Sequence, residues 1–313
     1  MSDNNKSNNN LGYLFAILAV IIWSTNFIAA KYLTNLMPIE ISFYRWLVTL
    51  IVLTPFCIKK LPENIKYIKG MRIKIIIMSI LSVTLFNTFV YMAAHTSNAV
   101  NMSLLASLSP VVTALISRVV WKTKLTIYQK IGLLLVIIGV VILITKGSIE
   151  VLMKMQFTVG DIYMLFGVII FSVYTLILRI KPKEIPHHIF FYIMVIIGFI
   201  PLMTVMIFMY ILNNVNTLNT SSALILVYIG IFPSALGFIL WNIAVSKIGA
   251  IKGSIIYDSV PFFSSLQAVI LLNEKLLLFQ VLGGILMLIG IIYSSIGDKI
   301  SEKIKNNKNK KIN

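Results

Sequence analysis

Residues 99–125 read AVNMSLLASLSPVVTALISRVVWKTKL, and residues 250–276 read AIKGSIIYDSVPFFSSLQAVILLNEKL. A constant shift of 151 residues places Pro110 over Pro261. Further pairs coincide in the same register: Ala99 with Ala250, Ser103 with Ser254, Lys124 with Lys275, Leu125 with Leu276, Gly132 with Gly283, and Gly139 with Gly290. Because proline and glycine punctuate helices, their coincidence indicates that the chain contains one pattern twice.

The repeat extends beyond this stretch. The same register joins 91–140 to 242–291 without a gap, and nearer the N-terminus the shift becomes 148 residues. The pairs in that second register are Gly12 with Gly160, Trp23 with Phe171, Ser24 with Ser172, and Lys31 with Arg179. Each copy spans an odd number of apolar helices, so the second copy should enter the bilayer from the opposite side. Inverted repeats of this kind are typical of secondary transporters.

The composition is that of an integral membrane protein. Of the 313 residues, 58% are hydrophobic and 12% are charged, and the mean hydropathy is +0.94. Apolar side chains at this density must face lipid rather than water. The single cysteine, Cys57, excludes an internal disulfide framework. The apolar run from Leu11 is too long for a signal-peptide core, so we interpret it as a retained first helix.

Ten apolar segments are long enough to cross a bilayer as helices, since about 20 residues rising about 1.5 Å each span the hydrocarbon core. They lie near 11–31, 40–58, 74–94, 98–121, 126–146, 159–179, 186–212, 222–245, 250–272 and 276–296. The sequence therefore predicts an all-α integral membrane fold with ten transmembrane helices as two inverted five-helix repeats. Pro110 and Pro261 lie inside predicted helices, where they should mark kinks or breaks.

Positive charge predicts the orientation in the membrane. Of the 27 lysines and arginines, 22 lie in the amino terminus, in the tail, or in or beside the connections after helices two, four, six and eight. Positively charged connections stay on the cytoplasmic side, so we expect both termini to be cytoplasmic in a multi-pass protein of a cell membrane. The abundance of isoleucine, lysine and asparagine suggests a bacterial plasma membrane. Nucleic-acid binding is not predicted, because no aromatic and basic recognition module accompanies the net charge of +17.

Several motifs carry a family resemblance. Residues 19–27 read AVIIWSTNF and are followed by Lys31, Pro38 and Arg45. Residues 91–139 then hold a helix ending near a tyrosine, a short polar connection, a helix centred on Leu-Ser-Pro, and a glycine-punctuated helix. In these features the chain resembles the EamA-type drug/metabolite transporter (DMT) superfamily. The acidic residue that this family usually carries after the Leu-Ser-Pro helix is Glu274 in the second copy, whereas the first copy has Thr123.

The resemblance implies two EamA-like repeats and a division of the chain into four parts. A polar cytoplasmic N-terminus covers 1–10, and the first five-helix repeat covers 11–146. The inverted second repeat covers 159–296, and a basic cytoplasmic tail covers 297–313. The resemblance also implies export or uptake of small metabolites. Its members carry amino acids, nucleotide-like molecules, sugars, polyamines or drugs.

Asp258 is the most informative single residue, because it lies about eight residues inside a predicted helix and occupies the position of Ser107 in the first copy. An unpaired carboxylate at this depth costs several kcal/mol and normally faces a partner or a wet cavity. Asp258 would either bind a cationic group of the substrate or carry a coupling proton whose affinity is raised by desolvation. We hypothesise the second role.

Other polar residues are candidates for substrate binding. Trp23 and Asn26 are three residues apart on the first helix, and Asn87 and Tyr91 are four apart on the third, so each pair shares a helix face. Together they are expected to line a central pocket. The further candidates are Asn101, Ser107, Ser254 and Gln267. For serines and amides, close helix packing and interhelical hydrogen bonding are the alternative interpretation.

Arg45 is expected inside helix two, where it either snorkels outward or pairs with Glu40, and a structural role is favoured. No cofactor is predicted, because the chain has no phosphate loop, no G-x-S-x-G motif and no metal-ligand spacing. An intramembrane enzyme is disfavoured, since Asp258 is the sole acid predicted at depth.

The leading hypothesis is therefore a secondary active transporter, a permease or exporter of small metabolites such as amino acids or related compounds. Access to a central polar cavity would alternate between the two sides. Its expected partners are a small-molecule substrate, the lipid bilayer and a proton or other ion. The glycine faces of helices five and ten suit close packing within the bundle or a homodimer. The alternatives are a lipid-linked sugar flippase and a small-molecule drug efflux protein.

Overall fold

A computed structural model describes residues 2–121, 127–148, 150, 158–248, 253, 256–257, 259–290 and 292–293. Within these ranges the regular structure is helical, and no β-strand occurs. Several residues singled out above lie outside the described part of the chain. They are Thr123, Ser254, Asp258 and the tail 297–313.

The helices follow one another with short connections. In chain order they are α1 Ser2–Tyr32, α2 Pro38–Cys57, α3 Leu61–Ile65, α4 Arg72–Ser79, α5 Phe86–Ala94, α6 Ala99–Ala106, α7 Ser109–Trp121, α8 Ile127–Ile144, α9 Val159–Ile177, α10 His187–Ile211, α11 Thr220–Ile229, α12 Gly237–Ile248, α13 Val260–Leu272 and α14 Leu278–Gly290. A π-helical turn at Ile80–Leu85 joins α4 to α5, and another at Gly230–Leu236 joins α11 to α12.

The helices have the length and composition of membrane spans. Five segments of the described chain are long and apolar enough to cross a membrane: Asn10–Tyr32, Pro38–Ala94, Val159–Ile177, His187–Ile211 and Thr220–Ile248. Shorter apolar helices include Val260–Leu272 and Leu278–Gly290. Isoleucine, leucine and phenylalanine side chains cover much of the outer surface. The predicted all-helical, multi-pass membrane protein is therefore confirmed.

The breaks predicted at the two prolines are also confirmed. The segment near 98–121 divides at Ser107 and Leu108, and Pro110 is the second residue of the following helix α7. Pro261 is likewise the second residue of α13. Proline suits the first turn of a helix, where its missing N–H is not needed. Because the segment breaks at Ser107, the serines before and after it do not share one continuous helix face.

The packing of the helices is symmetric between the two copies. Helix α1 packs against α12 and α13, and α9, its counterpart in the repeat, packs against α5 and against both α6 and α7. In sequence register α5 corresponds to α12 and α7 to α13, so exchanging the copies exchanges these contacts. Helix α2 packs against α10, which is its own counterpart. The repeat in sequence is thus a repeat in three dimensions.

Glycines allow the closest approaches at symmetric positions. A Cβ atom added to Gly139 would lie 2.7 Å from the carbonyl oxygen of Gly283, and one added to Gly290 would lie 2.5 Å from that of Gly132. No side chain fits at these distances, so the backbones of α8 and α14 are in direct contact. The glycine faces predicted from the sequence pack against each other within one chain.

The two π turns also coincide in the repeat, because a shift of 151 places Leu85 over Leu236. In the second copy Pro233 has no N–H to donate to the carbonyl of Ile229, and the hydroxyl of Ser234 donates to that carbonyl instead, at 2.7 Å. Turns of this type are frequent beside functional sites. Both turns lie next to the cavity described below.

Candidate substrate-binding cavity

A small cavity lies between the two copies. Helices α1, α2 and α5 of the first copy form one wall, and α9, α12 and Tyr257 of the second copy form the other. The lining residues are Trp23, Asn26, Phe27, Arg45, Phe86, Asn87, Val90, Phe171, Phe238 and Tyr257. About 20 Å³ is open to the centre of a water molecule, which is room for about one water. A larger molecule can enter only if the walls move apart.

Arg45 is the charged residue of this cavity and is 1% exposed. Its Nε donates a hydrogen bond of 2.6 Å to the hydroxyl of Ser234. Its Nη1 donates to Asn87 Oδ1 at 2.7 Å, to the Tyr91 hydroxyl at 2.5 Å and to Asn26 Oδ1 at 3.1 Å. All four acceptors are neutral oxygens, and they come from both copies of the repeat.

A glycine brings the arginine within reach of the second copy. A Cβ atom added to Gly230 would lie 2.6 Å from Val48 and 2.9 Å from the carbonyl oxygen of Arg45, so only glycine lets α2 approach the π turn this closely. The hydroxyl of Thr49 donates to the carbonyl of Gly230 at 2.9 Å and holds the contact. This close approach places the Arg45 guanidinium beside Ser234.

The structure corrects the expected pairing of Arg45 with Glu40. The Glu40 carboxylate accepts hydrogen bonds from the backbone and side-chain nitrogens of Asn216 at 2.7 and 2.8 Å, and from the Met37 N–H at 2.7 Å. Arg45 follows Glu40 by five residues, which is about 140° around the helix at 3.6 residues per turn. The arginine therefore faces the bundle interior instead of pairing with Glu40 or snorkelling outward.

Aromatic rings form the apolar part of the cavity wall. The Nε1 of Trp23 donates to the carbonyl of Pro233 at 2.8 Å, which fixes the indole between the two copies. The Trp23 ring centroid lies 5.2 Å from that of Phe238, 6.1 Å from that of Phe171 and 5.9 Å from that of Tyr257. The cavity thus presents a polar, cationic side and an aromatic side.

The structure brings together the four residues that helical spacing grouped in pairs. Trp23, Asn26 and Asn87 line the cavity, and the Tyr91 hydroxyl donates to Asn26 Oδ1 at 3.2 Å while it accepts from the arginine. Sequence reasoning gave Arg45 a structural role. The sequence signal that Arg45 lines a cavity was its position deep in an apolar helix, where a charge is costly unless it faces a water-filled site.

The remaining described candidates lie elsewhere. Asn101 belongs to another polar cluster, where its Oδ1 accepts from Gln280 Nε2 at 2.8 Å. The hydroxyl of Ser107 donates to the carbonyl of Leu104 in its own helix at 2.7 Å. The Oε1 of Gln267 is buried without a hydrogen-bond partner in the described part of the chain, but this residue does not line the cavity. Among the described residues, no group of three or more His, Cys, Asp or Glu is placed to hold a metal ion.

A second polar network joins the two copies at the ends of α1 and α5. Lys31 Nζ donates to the Ser97 carbonyl at 3.0 Å, and the Ser97 hydroxyl donates to the buried carboxylate of Asp161 at 2.6 Å. The Glu274 carboxylate accepts the Ala99 N–H at 3.1 Å, at the N-terminus of α6, where a negative charge is favourable. First-copy groups are thus bound by acids of the second copy.

The symmetry-related end of the bundle holds a small hydrophobic cluster. The register of the repeat places Ser97 over Ile248, which packs with Ala16 and Ala244 in a small hydrophobic cluster. The position of Ser97 in the polar network is thus taken by an apolar side chain in the second copy.

Comparison with known proteins gives consistent matches. A family model described as the EamA-like transporter family matches residues 10–145 and 158–296. A Bacillus subtilis (strain 168) protein named Uncharacterized transporter YyaM is 27% identical over 221 residues, which are 70% of this chain and 72% of that protein. An Uncharacterized transporter of Archaeoglobus fulgidus is 26% identical over 285 residues, 90% of this chain and 96% of its own. A solved crystal structure of 18% identity covers 91% of this chain and 97% of its own with a TM-score of 0.61, and shows the shared fold alone.

Proposed function

The chain belongs to the EamA-like transporter family, and we propose that it is a secondary active transporter of small metabolites such as amino acids or related compounds. The observation that carries the proposal is the cavity between the copies, to which both copies contribute walls and polar contacts. In transporters built from repeats, the substrate site lies at the repeat interface. We assign Trp23, Asn26, Asn87 and Tyr91 to the binding of the solute.

We further propose that the chain crosses a bacterial plasma membrane ten times, as two inverted five-helix repeats with both termini in the cytoplasm. The repeats cover 11–146 and 159–296, flanked by the polar segment 1–10 and the basic tail 297–313. Three observations support this arrangement. They are the symmetric helix contacts, the coincident π turns and the positively charged connections on one side.

Transport would follow from rocking of one copy against the other. The cavity has room for about one water, so binding of a metabolite requires its walls to separate. The network of Lys31, Ser97, Asp161 and Glu274 would close the extracellular end, and the cluster around Ile248 would close the cytoplasmic end. Opening one end while the other stays closed gives alternating access without an intervening open pore.

Asp258 is our candidate for coupling to a proton gradient. It follows the cavity residue Tyr257 in the sequence, and a carboxylate within an apolar helix exchanges a proton more readily than its exposed counterpart at neutral pH. The test is the pH dependence of transport by Asp258→Asn. We expect the variant to lose the pH dependence of the wild type, and an unchanged dependence would exclude the coupling role. Loss of affinity for cationic solutes alone would make Asp258 a substrate ligand.

Proteoliposome flux tests the proposed function itself. Vesicles containing the purified protein are loaded with a defined mixture of metabolites, and efflux of each is followed by mass spectrometry against protein-free vesicles. We expect selective release of at least one small metabolite. Release of a drug or transfer of a lipid-linked sugar instead would favour the two alternatives named above. Retention of every solute and lipid would contradict transport.

A further inference from the structure

Arg45 carries a buried charge that no acid of the described chain neutralises. Its recorded hydrogen bonds go to Ser234, Asn26, Asn87 and Tyr91, which are all neutral. Glu40, the acid nearest to it in sequence, is fully engaged by Met37 and Asn216. A desolvated cation with neutral partners alone is costly in a membrane protein. An anion that enters the cavity would remove that cost.

The arginine and its neighbour Trp46 keep N–H donors that no acceptor of the described chain occupies. Its Nη2 makes no hydrogen bond to the described residues, whereas Nε and Nη1 make four. The guanidinium carbon lies 5.2 Å from the ring centroid of Trp46, whose indole N–H is also buried without a hydrogen-bond partner in the described part of the chain. A ligand rich in acceptors is the complement of such a site.

The apolar lining of the cavity defines the rest of the ligand. Phe86, Phe171, Phe238 and Val90 give the cavity an apolar side, so a ligand must bury an apolar body when its anionic group reaches the arginine. One guanidinium also balances one negative charge. A dianion would leave an unpaired charge in an apolar cavity, because Lys31 is bound to the carbonyls of Ala94 and Ser97 at the end of α1.

From these observations we propose that Arg45 binds the carboxylate of a small monoanionic solute whose apolar body lies against the aromatic wall. This inference rests on the proposed transport function and names its substrate class. The guanidinium suits a carboxylate, because the protein can hold it through Nε and Nη1 while the two N–H groups of Nη2 stay available to a charged acceptor. The asparagines and Tyr91 hold the guanidinium in place, and the carboxylate takes the donors that they leave free.

A binding experiment on the wild-type protein tests the substrate class without any variant. The protein is placed in nanodiscs and titrated with 4-methylpentanoate or with 4-methylpentanamide, and tryptophan emission reports occupancy because Trp23 lines the cavity. The two probes differ only in the carboxylate. We expect the carboxylate to bind about tenfold or more tightly, since a hydrogen bond to a charged group contributes more than one between neutral groups.

Variants then test the residue. Arg45→Gln should lose at least about tenfold in carboxylate affinity and most of the preference over the amide. Arg45→Lys keeps the charge but not the separate N–H donors of the guanidinium. Its carboxylate affinity should therefore lie between those of the wild type and Arg45→Gln. Tyr174→Phe is the matched control, because it removes a buried hydroxyl of the second copy that bonds Asn242 and lies outside the cavity lining. Thermal unfolding of each variant shows whether it is folded.

The outcomes separate this inference from the function on which it rests. Three outcomes would overturn the role of Arg45. They are equal binding of carboxylate and amide, no binding of either, and unchanged carboxylate binding by folded Arg45→Gln. If metabolites still cross proteoliposome membranes in that case, the transport function stands and only the substrate class is wrong. If Arg45→Gln does not fold, the ratio of the two probes on wild type and on Arg45→Lys decides the question.

Discussion

The two copies of the repeat hold the same hydrogen-bonded pair with the partners exchanged. In the first copy the Tyr91 hydroxyl donates to Asn26 at 3.2 Å, and in the second copy the Tyr174 hydroxyl donates to Asn242 at 3.5 Å. The registers of the repeat place Asn26 over Tyr174 and Tyr91 over Asn242. Each pair therefore joins equivalent helices within its own copy, but tyrosine and asparagine have exchanged helices.

The difference between the copies is the cation. Arg45 completes the pair of the first copy, whereas shifts of 148 to 151 residues place it over residues 193–196, which read Ile-Met-Val-Ile. The second pair therefore lies in an apolar setting. The repeat supplies a symmetric frame, and under our proposal the one charge without a counterpart makes the cavity selective. The predictions that follow test this contrast between the copies.

The largest expected effect is on transport by Arg45→Gln. Removing the cation removes the group that distinguishes the first copy, so carboxylate flux into proteoliposomes should fall by about tenfold or more. Arg45→Lys should recover part of the flux. Flux by Arg45→Gln within twofold of wild type, at equal protein content, would contradict a selective role for the cation.

A matched glycine pair tests the symmetry of the packing. A Cβ atom on Gly160 would lie 2.5 Å from the Ala93 carbonyl oxygen, whereas one on Gly12, its counterpart, would lie 2.7 Å from a methyl group of Ile248. Backbone cannot move aside as a side chain can. Gly160→Ala should therefore lower the free energy of unfolding by about 1–3 kcal/mol, and Gly12→Ala by less. Thermal or denaturant unfolding in detergent measures both, and the reverse order would refute the described interface.

The two tyrosines give a smaller and more specific contrast. Tyr91→Phe removes one acceptor from the arginine, so the KM for a carboxylate should rise several-fold, toward about tenfold. Tyr174→Phe removes the corresponding hydroxyl where no cation lies, and its KM should stay within about twofold of wild type. Initial rates over a range of solute concentrations measure both constants. Equal effects of the two substitutions would mean that the cation does not distinguish the copies.

Helical spacing predicted much of the cavity. Trp23 with Asn26, and Asn87 with Tyr91, were grouped because residues three and four apart share a helix face, and the structure brings these pairs together. Arg45 was assigned a structural role, because its distance along α2 does not reveal that it faces the bundle. The contact of Arg45 with the second copy depends on Gly230, which is remote in sequence and allows the two copies to approach closely.

The break before Pro110 shows where the periodicity argument ends. Residues share a helix face only while the helix is continuous, and the structure interrupts it at Ser107 and Leu108. The proline predicted the break, but a break also ends the shared face. The π turns were not predicted. In these turns the hydroxyls of Ser82 and Ser234 donate to nearby backbone carbonyls. Such local hydrogen bonds produce no hydrophobic periodicity in the sequence.

The smallest expected effect concerns the polar end of the interface. Glu274→Gln removes the negative charge at the N-terminus of α6, where such a charge is worth about 0.3–1 kcal/mol. The melting temperature should fall slightly, whereas Glu184→Gln, an exposed control in a connection, should leave it unchanged. Equal melting temperatures for Glu274→Gln and wild type would show that this contact does not tie the copies together.

Alternating access to the cavity is the claim on which the account depends, and thiol accessibility tests it most directly. Cys57 is the only cysteine, so Cys57→Ser combined with Val90→Cys places one thiol in the cavity lining. Glu184→Cys in the same background is the control, because Glu184 is an exposed residue of a connection. We predict that a membrane-impermeant maleimide modifies Val90→Cys from either side and that a bound carboxylate slows both reactions. Modification of Glu184→Cys should show no such protection. Modification of Val90→Cys from one side alone under every condition would contradict the account.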